Sequence, residues 1–302
     1  MKNTNLKLKI DKIVGYIFLG IGLICASSII FIVLFILIKG VKPFIANYGT
    51  TANIKILKFL FGPSFIKGEY GVFGLIINTL VIVFFASLLA LPLSVLTALF
   101  IVRISPKKIG HAMQIVVELL ASIPSIIFGL FGMGVINPLV RDFALALNFQ
   151  TAGGVSTLSV IIVLVMMITP TITTLSITSM RAVKEDLVKA SLALGATKTQ
   201  TNFKIIVGGA KSGIIAALIL GIGRALGEAT AVSMVCGGAS NISLGIFSPT
   251  GTLTSAMLQG IYESSGLDYD VRFSVGIVLI IIIFVNSLLL NYLKKRICRY
   301  EK

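Results

Sequence analysis

Six apolar stretches, each long enough to cross a bilayer, constrain this chain more than any other feature. They cover residues 13–38, 74–101, 112–136, 155–179, 212–235 and 273–293. A spanning helix takes about 20 apolar residues. Inside lipid the backbone amides and carbonyls of such a run must pair within it, so the runs read as helices and not as strands. The expected fold class is all-α, a polytopic membrane protein with six transmembrane helices. Pro92, Pro124 and Pro170 fall inside the runs and predict kinks that neighbouring helices cover. Only 12% of the 302 residues are charged, roughly half the share in a soluble domain.

The formal net charge is +15, yet the basic residues form no continuous face for nucleic acid. They collect between the apolar runs: at the N-terminus (Lys2, Lys7, Lys9, Lys12), in 103–111, in 181–211 and in the C-terminal tail. Under the positive-inside rule both termini of this multi-pass chain are expected in the cytoplasm. The 39–71 connection runs against the rule, because Lys39, Lys42, Lys55, Lys58 and Lys67 fall on the side expected to be outside. The first apolar run exceeds the 7–15 residues of a signal core, and no clear small-x-small cleavage site follows it, so a retained span is expected. Cys25, Cys236 and Cys298 are far apart and His111 is the single histidine. No disulfide framework, metal site or cofactor is expected from them.

The longest connection on the cytoplasmic side, 181–211, has internal structure. VKEDLVKASLAL (183–194) places apolar side chains at helical spacing, with Glu185 and Asp186 in a first turn, where the helix dipole favours acids. Gly195 follows as a stop, and TKTQTNFKIIV (197–207) predicts a second short helix leading into the fifth span. Such a pair either docks on a partner or lies on the lipid surface. Gly208-Gly209-Ala210-Lys211-Ser212 lacks the spacing of a phosphate-binding loop. If ATP drives this protein, another subunit binds it.

Three ionisable residues fall within the predicted spans: Glu118, Arg224 and Glu228. Buried in lipid, such groups are expensive and normally face a bundle interior or a wet path. Arg224 sits about 18 Å into the fifth run at helical rise, near mid-membrane. Glu228 follows four residues later, so both are expected on one helix face. A guanidinium that stays charged and forks two donors suits an oxyanion; the alternative is an Arg–Glu pair that stitches helices together. Glu118 has Ser122 and Ser125 on its expected face, which favours a packing hydrogen bond over a place in the path. Gly223 and Gly227 are spaced as a helix-packing pair. Thr169, Thr171 and Thr173 beside Pro170 are expected to bond the backbone or neighbouring helices, with lining the path as the minor alternative.

Two segments resemble a known family. GRALGEATAVSMV (223–235) and ELLASIPSIIFGL (118–130, with Pro124 at its centre) are similar to signatures of the C-type permease of phosphate-specific ABC importers. These belong to the binding-protein-dependent transport permeases with the MetI-like fold. The 189–214 stretch resembles that family's coupling motif through Ala190, Gly195 and Ile206. It departs at Lys189, where Glu is frequent, at Ser191, where Ala is usual, and at Gly208, where Pro is usual. The resemblance covers about 70–302 and implies 1–70 as tail, first helix and outer loop, and 71–302 as the permease core.

The resemblance further implies a bacterial inner or plasma membrane, inorganic phosphate as cargo and a heterodimer with an A-type permease subunit. Two ATP-binding ATPase subunits and an extracytoplasmic phosphate-binding protein would complete the importer. Arg224, Glu228 and Glu118 would line the path; Glu185, Lys189, Ala190 and Gly195 would couple to the ATPase. The chain itself would not be an enzyme. Alternatives are a permease for molybdate, sulfate or a phosphonate, an ATP-independent carrier, and a membrane scaffold that signals phosphate status.

Overall fold

A computed structural model describes residues 2–46, 48, 54–243 and 245–297, with side chains from residue 11 onward. Cys298 and the tail beyond Ile297 lie outside the described residues, as do the side chains of Lys2, Lys7 and Lys9. The elements run in order as α1 (Lys2–Ile45), α2 (Ile56–Phe61), β1 (Phe65–Ile66), β2 (Glu69–Tyr70), α3 (Phe73–Leu99), α4 (Lys107–Ser122) and α5 (Ser125–Phe131). Next come α6 (Asn137–Ala146), α7 (Thr157–Arg181), α8 (Glu185–Ala193), α9 (Lys198–Gln200), α10 (Lys211–Gly227), α11 (Thr230–Val235), α12 (Leu253–Leu258) and α13 (Leu267–Ile297). Short π-helical turns extend α3 over Phe100–Ile104, join α5 to α6 over Gly132–Ile136 and extend α9 over Thr201–Val207. Five helices among the described residues are long and apolar enough to span a membrane, and six if the bent pair before and within α10 counts as one.

α7 is the axis of the bundle. Leu164, Met167, Ile168 and Ile172 are buried to the last few per cent against α3 and α10. In lipid the gain comes from van der Waals contact more than from release of water, and contact needs small neighbours. Ala86 and Ala90 of α3 and Ala217 of α10 supply them. Gly221 does so more strictly, since a Cβ there would sit 2.8 Å from the Ile172 side chain. Within this chain Gly213 and Gly221 face α7, while a Cβ at Gly223 or Gly227 would meet nothing within 4 Å.

Two predicted spans are broken. The 112–136 run does not form one helix, because α4 stops at Ser122 and Pro124 caps α5 with extended backbone, φ −58° and ψ 140°. The span there is Ser125–Ala146, and α4 is a separate amphipathic helix packed along α7. Pro124 thus ends a helix where a kink was expected. The 212–235 run is interrupted at Glu228, between α10 and α11. The segment Lys198–Val207 meets α10 at an angle of 63°. Pro92 and Pro170 do lie inside continuous helices.

At one end of the bundle, α2, the β1–β2 hairpin, the 236–252 segment and α12 form a cap. Asn78 on α3 donates from Nδ2 to the carbonyls of Asn241 (3.0 Å) and Gly251 (3.2 Å), and its Oδ1 accepts from the Ser243 amide (3.0 Å). The neighbouring Thr79 hydroxyl accepts from the Leu253 amide at 3.0 Å. Two adjacent polar side chains therefore pin a segment with little regular structure of its own.

The same end explains the lysines of 39–71. Asp270, in the first turn of α13, is 3% exposed. Lys39 and Lys42 of α1 reach its carboxylate at 3.6 and 3.3 Å, and the Tyr48 hydroxyl donates to it at 2.6 Å. Burial, reinforced by that carboxylate, raises the Tyr48 phenol above its usual range. Lys67 pairs with Asp268 at 3.5 Å. Three of the five lysines that run against the charge rule are thus partners of acids on α13.

Candidate functional site

Arg224 lies three residues before the end of α10, half-buried. Its Nη1 donates to the Thr171 hydroxyl on α7 at 2.8 Å. Thr171 follows Pro170, and α7 remains helical there. Thr169, Thr173 and Thr174 all turn their hydroxyls onto carbonyls of their own helix, at 2.7, 2.8 and 2.9 Å. Thr171 instead serves the guanidinium on α10, the neighbouring-helix form of the expected bond. The two residues share a groove of about 550 Å³ with Gly223, Leu220 and Ser287 of α13. Its walls are otherwise apolar, so a single charge dominates it.

Glu228 is not on the Arg224 face. α10 ends at Gly227, and Glu228 is extended, φ −75° and ψ 117°. Its carboxylate accepts the Ala231 amide at 2.8 Å, and its carbonyl accepts the Thr254 hydroxyl at 2.8 Å. It caps α11 and anchors the break to α12. Among the described residues no ion pair joins Arg224 to Glu228. The helical spacing of four fails because the helix ends between them.

Glu118 lies on the exposed face of α4, outside the span that follows. Gln114 donates to it at 2.7 Å, and Arg181 at the end of α7 donates to Gln114 at 2.6 Å. Its hydrogen-bond partner is Gln114 on the same helix and not Ser122, which bonds the Leu119 carbonyl.

The 181–211 connector is two short helices, as its pattern predicts. α8 covers Glu185–Ala193, and Gly195 takes φ +82°, the left-handed backbone that ends a helix. Thr197 and Gln200 form a reciprocal capping box at α9, with bonds of 3.2 and 2.9 Å. Val188 is buried, and Ser191 bonds Thr201 at 3.0 Å, which closes the two helices on each other. Lys189 and Ala190 face outward. Leu187, Leu192 and Leu194 are exposed, Leu194 to 89%. Glu185 pairs with Arg103, at the end of α3, at 2.8 Å. Arg103 and Ser287 are absent from the sequence-based site, and Thr171 entered it only as the minor alternative. Only the placement of Arg103 ahead of a cytoplasmic loop could have pointed to it, since its acid partner is 82 positions away.

Residues 90–299 match the family described as binding-protein-dependent transport system inner membrane component. The chain is 32% identical over 277 residues to the probable ABC transporter permease protein YqgH of Bacillus subtilis, covering 91% of this chain and 88% of that one. It is 31% identical over 290 residues to the probable phosphate transport system permease protein PstC of Methanocaldococcus jannaschii, covering 89% and 91%. Among solved structures, a bacterial ABC transporter involved in the import of the acidic polysaccharide alginate shares its fold, with TM-score 0.63 at 17% identity over 90% and 93% of the two chains.

Proposed function

This chain belongs to the family of inner membrane components of binding-protein-dependent transport systems, and from that premise we propose that it forms the inorganic phosphate path of an ATP-driven importer. As a polytopic permease of the ABC importers it has a membrane role, and the cargo is the part that is inferred. The observation that carries the inference is the Arg224–Thr171 contact at the wall of an otherwise apolar groove. Phosphate-permease relatives near 30% identity support the same reading.

A phosphate passing this groove meets a guanidinium that offers paired donors in a planar fork. The Thr171 hydroxyl holds one Nη toward α7, which orients the rest of the fork. Gly223 and Gly227 carry no side chain over the open face of α10. That leaves the groove accessible to cargo, and to an A-type permease subunit that closes the path from the other side. Glu228 marks the point where the helix gives way, so α10 and α11 can move as separate rods about it. Glu118 and its Gln114–Arg181 chain line the path nearer the connector.

Both termini and the α8–α9 connector face the cytoplasm in this reading, where two ATPase subunits dock. The exposed leucines of α8, with Lys189, Ala190 and the Gly195 turn, supply the contact; Glu185 passes the motion to α3 through Arg103. An extracytoplasmic phosphate-binding protein delivers cargo at the cap. ATP is hydrolysed by the partners and not by this chain.

The test is labelled phosphate uptake in cells carrying the complete importer. Arg224→Ala at normal expression is expected to abolish uptake, and full uptake would refute the assignment. Competition by unlabelled phosphate, and none by sulfate or molybdate, is expected for the cargo. Competition by either of those oxyanions at comparable concentration would leave the permease in place and change what it carries.

A further inference from the structure

A second groove, away from Arg224, has the composition of a lipid site. It encloses about 530 Å³ between α3, α10 and the last turn of α13. Leu91, Pro92 and Val95 form its α3 wall, Ile214 and Ile215 its α10 wall, and Ile297 closes it. The one charged side chain on its rim is Lys211. Lys211 begins α10 at the 63° bend, where the connector turns into the span, and lines the groove beside its apolar walls. It is exposed, and among the described residues it makes no ion pair.

Among the described residues beside the groove, the charges are basic. Lys294, Lys295 and Arg296 occupy the last turn of α13, directly before Ile297 of the groove, and no acid lines it. Apolar walls under a cluster of cations match an acyl chain lying below an anionic phosphate headgroup. Basic pockets between transmembrane helices recognise such headgroups, and a zwitterionic lipid would leave the cations uncompensated. We infer that this groove binds an anionic phospholipid, with its headgroup phosphate on Lys211 and an acyl chain along α3 and α10. This inference does not depend on the cargo of the importer.

The test uses the complete purified importer and phospholipids carrying a photoactivatable acyl chain, with labelled positions mapped by peptide mass spectrometry. Phosphatidylglycerol is expected to label the 91–95 and 214–215 peptides about fivefold more than phosphatidylcholine, the factor that one basic residue near an anionic surface is worth. Lys211→Gln is expected to bring the two lipids to parity there, and Lys211→Arg to keep the preference. Equal labelling in the wild type, or a preference untouched by Lys211→Gln, would overturn the proposal. So would efficient cross-linking of Ile215→Cys to the second permease subunit, which would make the groove a protein interface. Phosphate uptake is measured alongside, and its loss or retention in these variants bears on the cargo reading alone.

Discussion

At Arg224 the guanidinium leans on a neutral hydroxyl, and the energetic weight of that hydroxyl is open to measurement. A hydrogen bond to a charged group is worth about 1.5–3 kcal/mol. Thr171→Val, which keeps shape and removes the acceptor, is expected to raise the KM for phosphate uptake about tenfold. Thr171→Ser is expected to stay near wild type, because it restores the oxygen at 2.8 Å. Uptake kinetics at matched expression read both. Gly195 presents a different constraint. A Cβ there meets nothing within 4 Å, yet φ is +82°, so a side chain brings backbone strain and no clash. Gly195→Val is expected to destabilise the turn by about 2 kcal/mol. Cargo-stimulated ATP hydrolysis by the assembled importer should fall, with membrane insertion unchanged. Gly195→Asn, which tolerates this backbone region, is expected to keep most of the activity.

Elements differ in how much of them the residues announce. Span number and length follow from apolar run length, and the α8–Gly195–α9 connector follows from periodicity and a stop residue. The breaks do not, because hydropathy continues through them. Ser122, Pro124 and Ser125 are set among Leu119, Leu120, Ile123, Ile126 and Ile127, so average hydropathy over the run hides the end of α4. Gly227-Glu228 contains no proline; the interruption there is held by a bond from Thr254, 26 positions away. That contact exists only once α12 has folded back, which is why helical spacing misplaces Glu228 relative to Arg224. The same limit applied to glycines: spacing alone could not separate Gly221, which touches Ile172, from Gly223, which touches nothing. Between elements, the Arg103–Glu185 pair joins α3 to α8, with the Glu185 side chain 64% exposed. A double-mutant cycle with Arg103→Ala and Glu185→Ala is expected to give a stability coupling below about 1 kcal/mol. Uptake, in contrast, should fall in both single variants and recover partly in the charge-swapped double variant. Equal loss in the swap would remove this pair from the coupling route.

For the whole molecule, the first and last long helices are held together at one end. Gly40 of α1 lies so close to α13 that a Cβ would come within 2.6 Å of the Phe273 carbonyl. The Ser274 hydroxyl donates to the Gly40 carbonyl at 2.6 Å, and Phe35 meets Phe273 edge to face at 5.6 Å. The remaining length of α1 touches little of this chain, and its spanning window is 0% buried. Asp270→Ala leaves Lys39 and Lys42 facing each other over a lost carboxylate. It is expected to lower stability by about 2 kcal/mol, less than for a fully buried pair because both lysines are partly solvated. Thermal unfolding of the purified importer measures it, and an unchanged midpoint would show that the apolar and backbone contacts hold α1 unaided.

Those contacts also set an order in time. The Ser274–Gly40 bond joins residues 234 positions apart, and the Tyr48–Asp270 bond residues 222 apart. During synthesis α1 enters the bilayer first and stays without its partner while nearly every other helix is made. Lys39 and Lys42 do not meet Asp270 until the ribosome has reached α13. The contact between α13 and α1 is thus made late, and a nascent chain halted before residue 267 carries an anchor with nothing yet to moor.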